Sequence, residues 1–376
     1  MQKKLTIAAC IIVAGLLLTL ESKAQTAPIN IVTTAVPFLR ISPDARAGGM
    51  GDAGIATSPD ANSAFWNLAK TPFAKTPTAI GATYTPWLKD IAPDVYLASI
   101  SGYHQLDEQQ AFSATIRYFN LGQIQFTSPE GFSEGTGRPR EFGIDIGYSR
   151  KLTSKIAIGV ALRYINSDLA SGAITSDGVA YKAGNAVAAD LSFFNDNTDE
   201  TGAGFAWGIA ITNLGSKIGY TDNAQSKDFI PANLGLGLAY TWVFQETSKF
   251  SLALDGNKLL VPSYPIGDTS PTAVPDYYNS SVFSSWFKSF SNNAYTFSAG
   301  AEYTYNDQFI VRAGYFFEPK DQGGRQFFTA GVGLKYNVFG FNFSYLAPSG
   351  SGITRNPLSN TLRFGILFDL AATSGQ

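Results

Sequence analysis

The segment IAIGVALRYI, residues 156–165, alternates large apolar residues with small or polar ones. Successive side chains of a β-strand point to opposite faces, so this alternation predicts a strand with two unlike faces. One face carries Ile156, Ile158, Val160, Leu162 and Tyr164, and the other carries Ala157, Gly159, Ala161 and Arg163.

The chain repeats this unit from about residue 78, with turn residues between the segments. FTAGVGLKY at 328–336 and FGFNFSY at 339–345 show the same alternation. About fourteen segments are predicted, at 78–85, 94–102, 111–120, 141–151, 155–165, 185–194, 204–213, 233–243, 249–257, 294–304, 309–317, 326–336, 338–346 and 360–370. Their length matches the roughly 9 to 11 residues of a tilted membrane-crossing strand, and an even number suits a bacterial single-chain barrel.

Composition favours lipid over a water-soluble sandwich, which could show the same alternation. Charged residues make up 15% of the chain, against about 25% in soluble domains, and aromatic residues make up 14%. Aromatic residues often stand at segment ends, as in the girdles of membrane barrels. The sequence therefore predicts an all-β fold, an outer-membrane antiparallel β-barrel over residues 77–371. A net charge of −2 argues against a nucleic-acid partner.

The connections between segments alternate in length. Short ones lie at 153–154, 245–248, 306–307 and 337, and long ones at 121–140, 166–184, 214–232 and 258–293. Outer-membrane barrels have short periplasmic turns and long extracellular loops. The pattern predicts that both termini are periplasmic, including a tail at 372–376.

The N-terminus has the pattern of a secretory signal peptide over residues 1–24. Lys3 and Lys4 precede an apolar run, Leu5 to Leu20, and small residues end at Ala24. Cys10 is the only cysteine, so the mature chain is expected to contain no disulfide and no thiolate metal site.

A glycine-rich stretch follows the signal peptide. Gly49, Gly51 and Gly54 form G-x-G-x-x-G, which in dinucleotide-binding folds follows a buried strand and opens a helix. Here LRISPDARA precedes the pattern and contains Pro43, while Pro59 follows too soon for a crossover helix. The context argues against that interpretation, so the stretch needs another explanation.

The same region resembles the FadL family of outer-membrane fatty-acid transporters, which are fourteen-stranded barrels with a small N-terminal segment inside. Asp60, Ala61 and Asn62, followed by the run Phe65–Ala69, match that segment's motifs, although Leu68 replaces the usual proline. The resemblance implies a plug over residues 25–76. The plug motif is then Gly49, Gly51, Gly54, Asp60, Asn62, Trp66 and Asn67, packed against small wall residues such as Gly159, Ala161, Gly331 and Gly333.

Within that superfamily, VPFLRISPDARAGGMGDAGIATSPDANSAFWNLAK, residues 36–70, is most similar to the PorV family of the type IX secretion system. The resemblance implies a protein-binding role with no enzymatic activity, cofactor or metal. It implies capture of cargo by its C-terminal signal domain and transfer from the translocon barrel to the complex of the PorU-like sortase. The alternative is a FadL-like channel for long-chain fatty acids or other hydrophobic small molecules.

Partner contacts are expected in the long loops. Loop 258–293 carries six aromatic candidates, Tyr264, Tyr277, Tyr278, Phe283, Trp286 and Phe287. Aromatic residues anchor many protein interfaces. The same residues could instead join the outer girdle or fold the loop on itself.

The last segment, RFGILFDL, resembles the signal that the barrel-assembly machinery recognises in a terminal strand. Its positions are Arg363, Gly365, Phe368 and Leu370.

Three further groups of residues suggest chemistry only weakly. His104, the sole histidine, lies in a predicted turn and has no positioned nucleophile. NDNTDE at 195–200 could supply oxygen ligands to calcium, but an acidic solvated turn is the favoured interpretation. Six charged residues are predicted to face inward, where they hydrogen-bond the plug or water in preference to lining an ion path. They are Asp145, Arg163, Asp190, Arg312, Lys335 and Asp369.

Overall fold

Strands dominate the computed structural model, which describes residues 30–89, 92–127, 131–170, 180–222, 227–245, 247–268, 270–347 and 360–370. The predicted signal peptide at 1–24, the first residues of the predicted plug at 25–29, and the predicted tail at 372–376 lie outside this part of the chain. The folded unit to which the barrel belongs begins at Ile31.

The strands are β1 (Thr78–Pro86), β2 (Tyr96–Gln105), β3 (Gln110–Asn120), β4 (Ile124–Thr127), β5 (Ser133–Gly137), β6 (Arg140–Lys151), β7 (Ile156–Asp168), β8 (Gly184–Thr198), β9 (Gly204–Gly215), β10 (Asn233–Phe244), β11 (Ser248–Leu259), β12 (Tyr295–Tyr305), β13 (Phe309–Phe317), β14 (Gln326–Tyr336), β15 (Phe339–Ala347) and β16 (Leu362–Leu370).

Fourteen of these strands form a closed antiparallel barrel. β1 pairs with β2 on one side and with β16 on the other, with Thr78 opposite Leu370, so the barrel has no open edge. The predicted fourteen-stranded barrel is confirmed. β4 and β5 form a separate hairpin within the predicted long connection at 121–140, and the alternation pattern did not predict this hairpin. Strands of four and five residues are too short to show the alternation that identified the others.

The two faces of the barrel wall follow the predicted alternation. In β7, Ile158, Leu162 and Tyr164 are exposed on the outside, while Ala157 and Arg163 are buried inside. The apolar exterior and the polar interior are those of a membrane-spanning barrel.

Aromatic rings meet on the outer wall near both ends of the barrel. Tyr84 and Tyr96, whose ring centroids are 5.4 Å apart, lie where β1 and β2 join the long connections. Tyr240 and Trp242, 4.5 Å apart, lie near the opposite end of β10. We call the end with the long connections the long-loop end and the other the short-turn end.

The helices are short. They are α1 (Ala45–Gly48), α2 (Ser63–Trp66), α3 (Ala273–Asn279) and α4 (Val282–Lys288), with 3-10 turns at Pro37–Arg40, Leu68–Phe73, Ser289–Ser291 and Lys320–Gln322. Within the described ranges no helix has the length and hydropathy to cross a bilayer. α1 and α2 belong to residues 31–76, which lie against the inner wall and which we call the plug.

A charged side chain in the lipid layer has no water and no partner, whereas the same side chain in a turn is solvated. Leu162, 69% exposed at the middle of β7, and Leu152, 58% exposed in the turn before it, form a matched pair. Leu162→Lys should destabilise the barrel by about 2–4 kcal/mol and Leu152→Lys by less than about 1 kcal/mol. Urea unfolding in lipid vesicles measures the difference, and equal effects would contradict a lipid-facing exterior.

Candidate functional site

The glycines of the G-x-G-x-x-G stretch lie where the plug touches other backbone or a ring. Gly51 has a φ of +68°, and a Cβ there would lie 2.5 Å from the carbonyl oxygen of Tyr315 in β13. A Cβ on Gly49 would lie 3.0 Å from the Cα of Gly331 in β14, and one on Gly54 2.4 Å from the Trp66 ring. Only glycine fits such contacts without movement, so the pattern serves close packing in the structure.

The small residues of the wall divide into two groups. Gly331 touches the plug at Gly49, and Gly159 faces Leu68, whose Cγ would lie 2.7 Å from an added Cβ. Gly333 instead faces the side chains of Asn342 and Arg312, which belong to the wall itself. Gly331 and Gly159 therefore make space for the plug, as expected, whereas Gly333 makes space for side chains of the wall.

Asp44, which the motif did not single out, organises the plug. Its carboxylate accepts hydrogen bonds from the Arg46 backbone N–H at 2.8 Å, Trp66 Nε1 at 3.1 Å and Asn62 Nδ2 at 3.2 Å. The first of these caps the N-terminus of α1. One buried carboxylate thus links both short helices of the plug.

The remaining motif residues connect the plug to itself and to the wall. Asp60 accepts from the Asn62 backbone N–H at 2.8 Å and pairs with Arg46 at 3.1 Å. Asn62 Oδ1 accepts from the Ser101 hydroxyl in β2 at 2.7 Å. Asn67 Nδ2 donates to the carbonyl of Phe193 in β8 at 2.9 Å.

Charged contacts hold the plug to strands far away in sequence. Arg46 donates through Nη2 to Glu302 in β12 at 2.8 Å, and Glu302 also accepts from Arg312 in β13 at 2.7 Å. Asp52 forms an ion pair with Arg363 in β16. Because these groups are largely buried, removing one partner would leave an uncompensated charge.

Backbone groups of the plug also bind wall side chains. The Asp255 carboxylate in β11 accepts from the N–H groups of Gly54 and Ile55 at 2.7 and 2.9 Å. Within the plug, buried Lys70 donates from Nζ to the carbonyl of Gly54 at 2.7 Å. The plug is therefore bound to the wall on several sides. Breaking one of these hydrogen bonds would leave a buried polar group unpaired, which costs free energy of folding.

The predicted inward charges bind one another. Arg163 in β7 pairs with Asp145 in β6 and with Asp190 in β8, the latter at 2.8 Å, and all three are buried. Arg117 in β3 extends this ladder to Asp145 at 3.3 Å. Lys335 and Asp369 pair at 2.5 Å near the short-turn end. Their main partners are thus neighbouring strands, where the sequence interpretation expected plug or water.

Near the long-loop end, apolar residues of the plug and the wall pack together inside the barrel. Plug residues Val36, Phe38 and Leu39 are buried in a cluster with wall residues Leu97, Phe119 and Ile165. Val36 has a φ of +46°, which is rare for a β-branched residue. The backbone is strained at the point that directs Phe38 into this interior.

The tyrosines of loop 258–293 pack against one another and fold the loop on itself. Tyr277 stacks edge-on against Tyr264 at 5.2 Å, Tyr278 at 5.3 Å and Phe229 at 5.4 Å. Burial raises the pKa of the Tyr277 hydroxyl to about 12. Lys217 Nζ lies 4.0 Å from the centroid of the Phe229 ring, and burial lowers the pKa of its amine. These tyrosines support the loop structure.

The phenylalanines of this loop are exposed. Phe283, Phe287 and Phe290 are 66%, 64% and 54% exposed. Their i, i+4, i+7 spacing along α4 and the following 3-10 turn puts them on one side; we call them the phenylalanine face. Trp286, half-buried, contacts Phe283 at 5.8 Å. The sequence interpretation missed Phe290, because its relation to Phe283 depends on the helix.

Ser285 and Ser289 lie on the buried side of α4, opposite the phenylalanine face. Both are fully buried, and their hydroxyls donate to the carbonyls of Val282 and Trp286 at 2.6 and 2.5 Å. The helix therefore buries small residues and exposes large apolar ones, the reverse of an ordinary surface helix.

His104 and the acidic segment 195–200 have local partners. His104 lies in β2, two residues beyond the predicted segment 94–102, so its predicted place in a turn was wrong; its Nδ1 is 2.7 Å from Thr78 Oγ1. Asp199 accepts from the backbone N–H and the hydroxyl of Thr201 at 2.9 and 2.6 Å, and these bonds lower its pKa. In the ranges that the structure describes, no three His, Cys, Asp or Glu side chains are grouped to hold a metal.

The four residues of the predicted assembly signal have different surroundings. Arg363 faces inward to Asp52, and Gly365 lies against the plug, 3.4 Å from the Ala45 Cβ if a Cβ is added. Phe368 contacts Phe339 at 5.2 Å on the outer wall, and Leu370 is exposed. Their role in assembly stays a prediction.

Comparison with known proteins identifies both a family and a fold. The sequence model of the family described as "Type IX secretion system protein PorV" matches residues 23–266, more than half of the chain. A search of curated proteins gives no significant match.

Similar solved structures include hydrocarbon transporters and channels. The toluene transporter TbuX of Ralstonia pickettii has a TM-score of 0.51 at 13% identity, over 86% of this chain and 96% of that one. A TodX deltaS2S3 mutant, a monoaromatic hydrocarbon channel, has a TM-score of 0.52 at 15% identity, over 87% and 98%. A Pseudomonas aeruginosa FadL homologue has a TM-score of 0.48 at 12% identity, over 91% and 100%. At these identities the likeness to TbuX and to the TodX mutant concerns the fold alone.

Gly51 is expected to tolerate no side chain. Gly51→Ala adds a left-handed backbone strain of about 1–2 kcal/mol and also a clash with the Tyr315 backbone. Gly202, at φ +91° in a short turn with nothing within 4 Å of an added Cβ, is the matched control for strain alone. The loss of unfolding free energy should be clearly larger for Gly51→Ala than for Gly202→Ala. Equal losses would mean that the plug does not depend on this contact.

The Asp52–Arg363 pair is expected to be strongly coupled. Asp52→Asn or Arg363→Gln alone leaves a buried charge and should cost about 3–5 kcal/mol. The double variant removes both charges and should cost less than the sum of the two. Urea unfolding of all four proteins measures this coupling, and strictly additive losses would argue against the pair in the folded barrel.

Proposed function

This chain belongs to the PorV family of type IX secretion proteins, and we propose on that premise that it binds secreted cargo at the cell surface. It is an outer-membrane β-barrel component of the type IX secretion system. Its proposed ligand is the folded C-terminal signal domain of the cargo. The observation that carries the proposal is the family match over residues 23–266.

The filled interior supports binding outside the barrel. The plug is fixed to the wall through Glu302, Arg363 and Asp255, and Phe38 occupies the apolar interior near the long-loop end. A polypeptide passing through the lumen would have to break these buried contacts. Cargo contacts are therefore proposed in the long connections, with that end at the cell surface and both termini in the periplasm.

The phenylalanine face is the proposed contact surface. Three exposed aromatic side chains on a supported helix resemble the rigid anchors that contribute most of the binding free energy in protein interfaces. Tyr264, Tyr277 and Tyr278, being packed against one another, are assigned the supporting role.

Transfer between partners requires reversible binding and no covalent chemistry. The proposed partners are the translocon barrel, which delivers cargo, and the PorU-like sortase complex, which receives it. The family and the fold are those of transport and secretion proteins, and not of enzymes.

The alternative, a channel for hydrophobic small molecules, needs an apolar space inside the barrel near its outer mouth. Val36, Phe38 and Leu39 fill the corresponding region here. The similarity to hydrocarbon transporters therefore supports the architecture and not the cargo.

Phe283→Ser combined with Phe287→Ser should greatly reduce capture of a cargo signal domain, because it removes two anchors from the proposed surface. Co-purification with a tagged signal domain from detergent-solubilised outer membrane measures capture. Phe132→Ser is the matched control, since Phe132 is 73% exposed in the connection between β4 and β5.

Assembly is checked by the heat-dependent electrophoretic mobility of folded barrels. If the assembled double variant captures cargo as well as the wild type, the phenylalanine face is not the site. If capture by the wild type itself is absent, the proposed function fails.

A further inference from the structure

A groove of about 410 Å³ lies in the outer wall of the barrel, across strands β9 to β13. Its lining includes Trp207, Leu238, Leu254, Gly256, Phe297 and Ala299. Strand register aligns them, since Leu238 lies opposite both Trp207 and Leu254, and Leu254 lies opposite Ala299. The neighbouring Asp255 and Ser298 alternate with them and are buried inside. The groove therefore opens outward, on the lipid-facing side.

Two small residues make the groove. Gly256 stands opposite Phe297, and a Cβ there would meet only the Phe297 ring, at 3.6 Å. Ala299 adds a single methyl group next to it. Leu238, Leu254 and Phe297 project on either side and are half-exposed. A larger residue at position 256 would occupy the space without touching the plug.

We propose that this groove is a binding site for one acyl chain of a membrane lipid. The groove is continuous with the wall that faces the hydrocarbon layer, so acyl chains are its immediate surroundings. If the groove were empty, the atoms of its lining would lack dispersion contacts. A flexible acyl chain that follows the surface can supply those contacts. The site recognises hydrocarbon and not a headgroup, because its lining is apolar.

The size of the groove favours a lipid chain over another protein. Its volume lies within the roughly 300–1,000 Å³ of small-molecule sites. A stable protein interface needs on the order of 1,000 Å² of complementary surface, and Phe297 and Leu238 project beside a concave floor. This inference concerns the outer wall and is independent of the proposed cargo surface.

Two measurements test the site: the amount of lipid that remains bound after purification, and the quenching of tryptophan fluorescence by labelled lipid. The wild-type barrel, purified from outer membrane in mild detergent, should keep one lipid in native mass spectrometry, and Gly256→Leu should lose it. Ala82→Leu, a similar change on the outer face of β1, is the matched control and should keep it. Ala299→Leu serves as a second filling variant if Gly256→Leu fails to assemble.

Quenching places the chain at the groove. In vesicles of phosphatidylcholine brominated on one acyl chain, the emission attributable to Trp207, obtained by difference from Trp207→Phe, should be strongly quenched. Gly256→Leu should reduce that quenching, and Ala82→Leu should leave it unchanged. The proposal would be overturned if neither Gly256→Leu nor Ala299→Leu reduced the retained lipid. It would also be overturned if neither variant reduced the quenching. A second protein that co-purifies with the wild type and is released by Gly256→Leu would overturn it as well.

Discussion

Every N–H and C=O group that lies in the hydrocarbon layer must find a partner within the protein, because no water is present there. The fourteen long strands meet this requirement together, and only when β1 pairs with β16 does the last edge disappear. The residue alternation follows from the same constraint. One face of each strand meets lipid, so it carries large apolar side chains, and the other face is free to carry Arg163, Asp145 and similar groups.

Closing the barrel creates an interior, and that interior must also be filled. Charged side chains inside the wall are desolvated and need partners, which neighbouring strands supply through the ladder from Arg117 to Asp190. The plug supplies others, with Arg46 meeting Glu302 and Asp52 meeting Arg363. The plug therefore neutralises charges of the wall, and these ion pairs fix it to β12 and β16.

Two apolar surfaces of the described chain face away from the lumen. At the long-loop end, α4 buries Ser285 and Ser289 and exposes Phe283 and Phe287. On the outer wall, Gly256 leaves a groove among large residues. We propose the first surface as a site for a protein partner and the second as a site for an acyl chain. The same fold as the hydrocarbon transporters can thus serve a different task, because function depends on what fills the lumen and what covers the loops.

The sequence alone determined the fourteen long strands, their inward and outward faces, and the alternation of short and long connections, because these depend on local periodicity. It also indicated a structural role for Gly49, Gly51 and Gly54. Tertiary structure alone decided that Gly51 meets Tyr315 and that Asp52 meets Arg363, because these contacts join residues hundreds of positions apart. Tertiary structure also showed that Tyr277 is packed and Phe287 exposed within one loop. The sequence marks both residues only as aromatic, and whether an aromatic ring packs inside a loop or projects from it depends on how the loop folds.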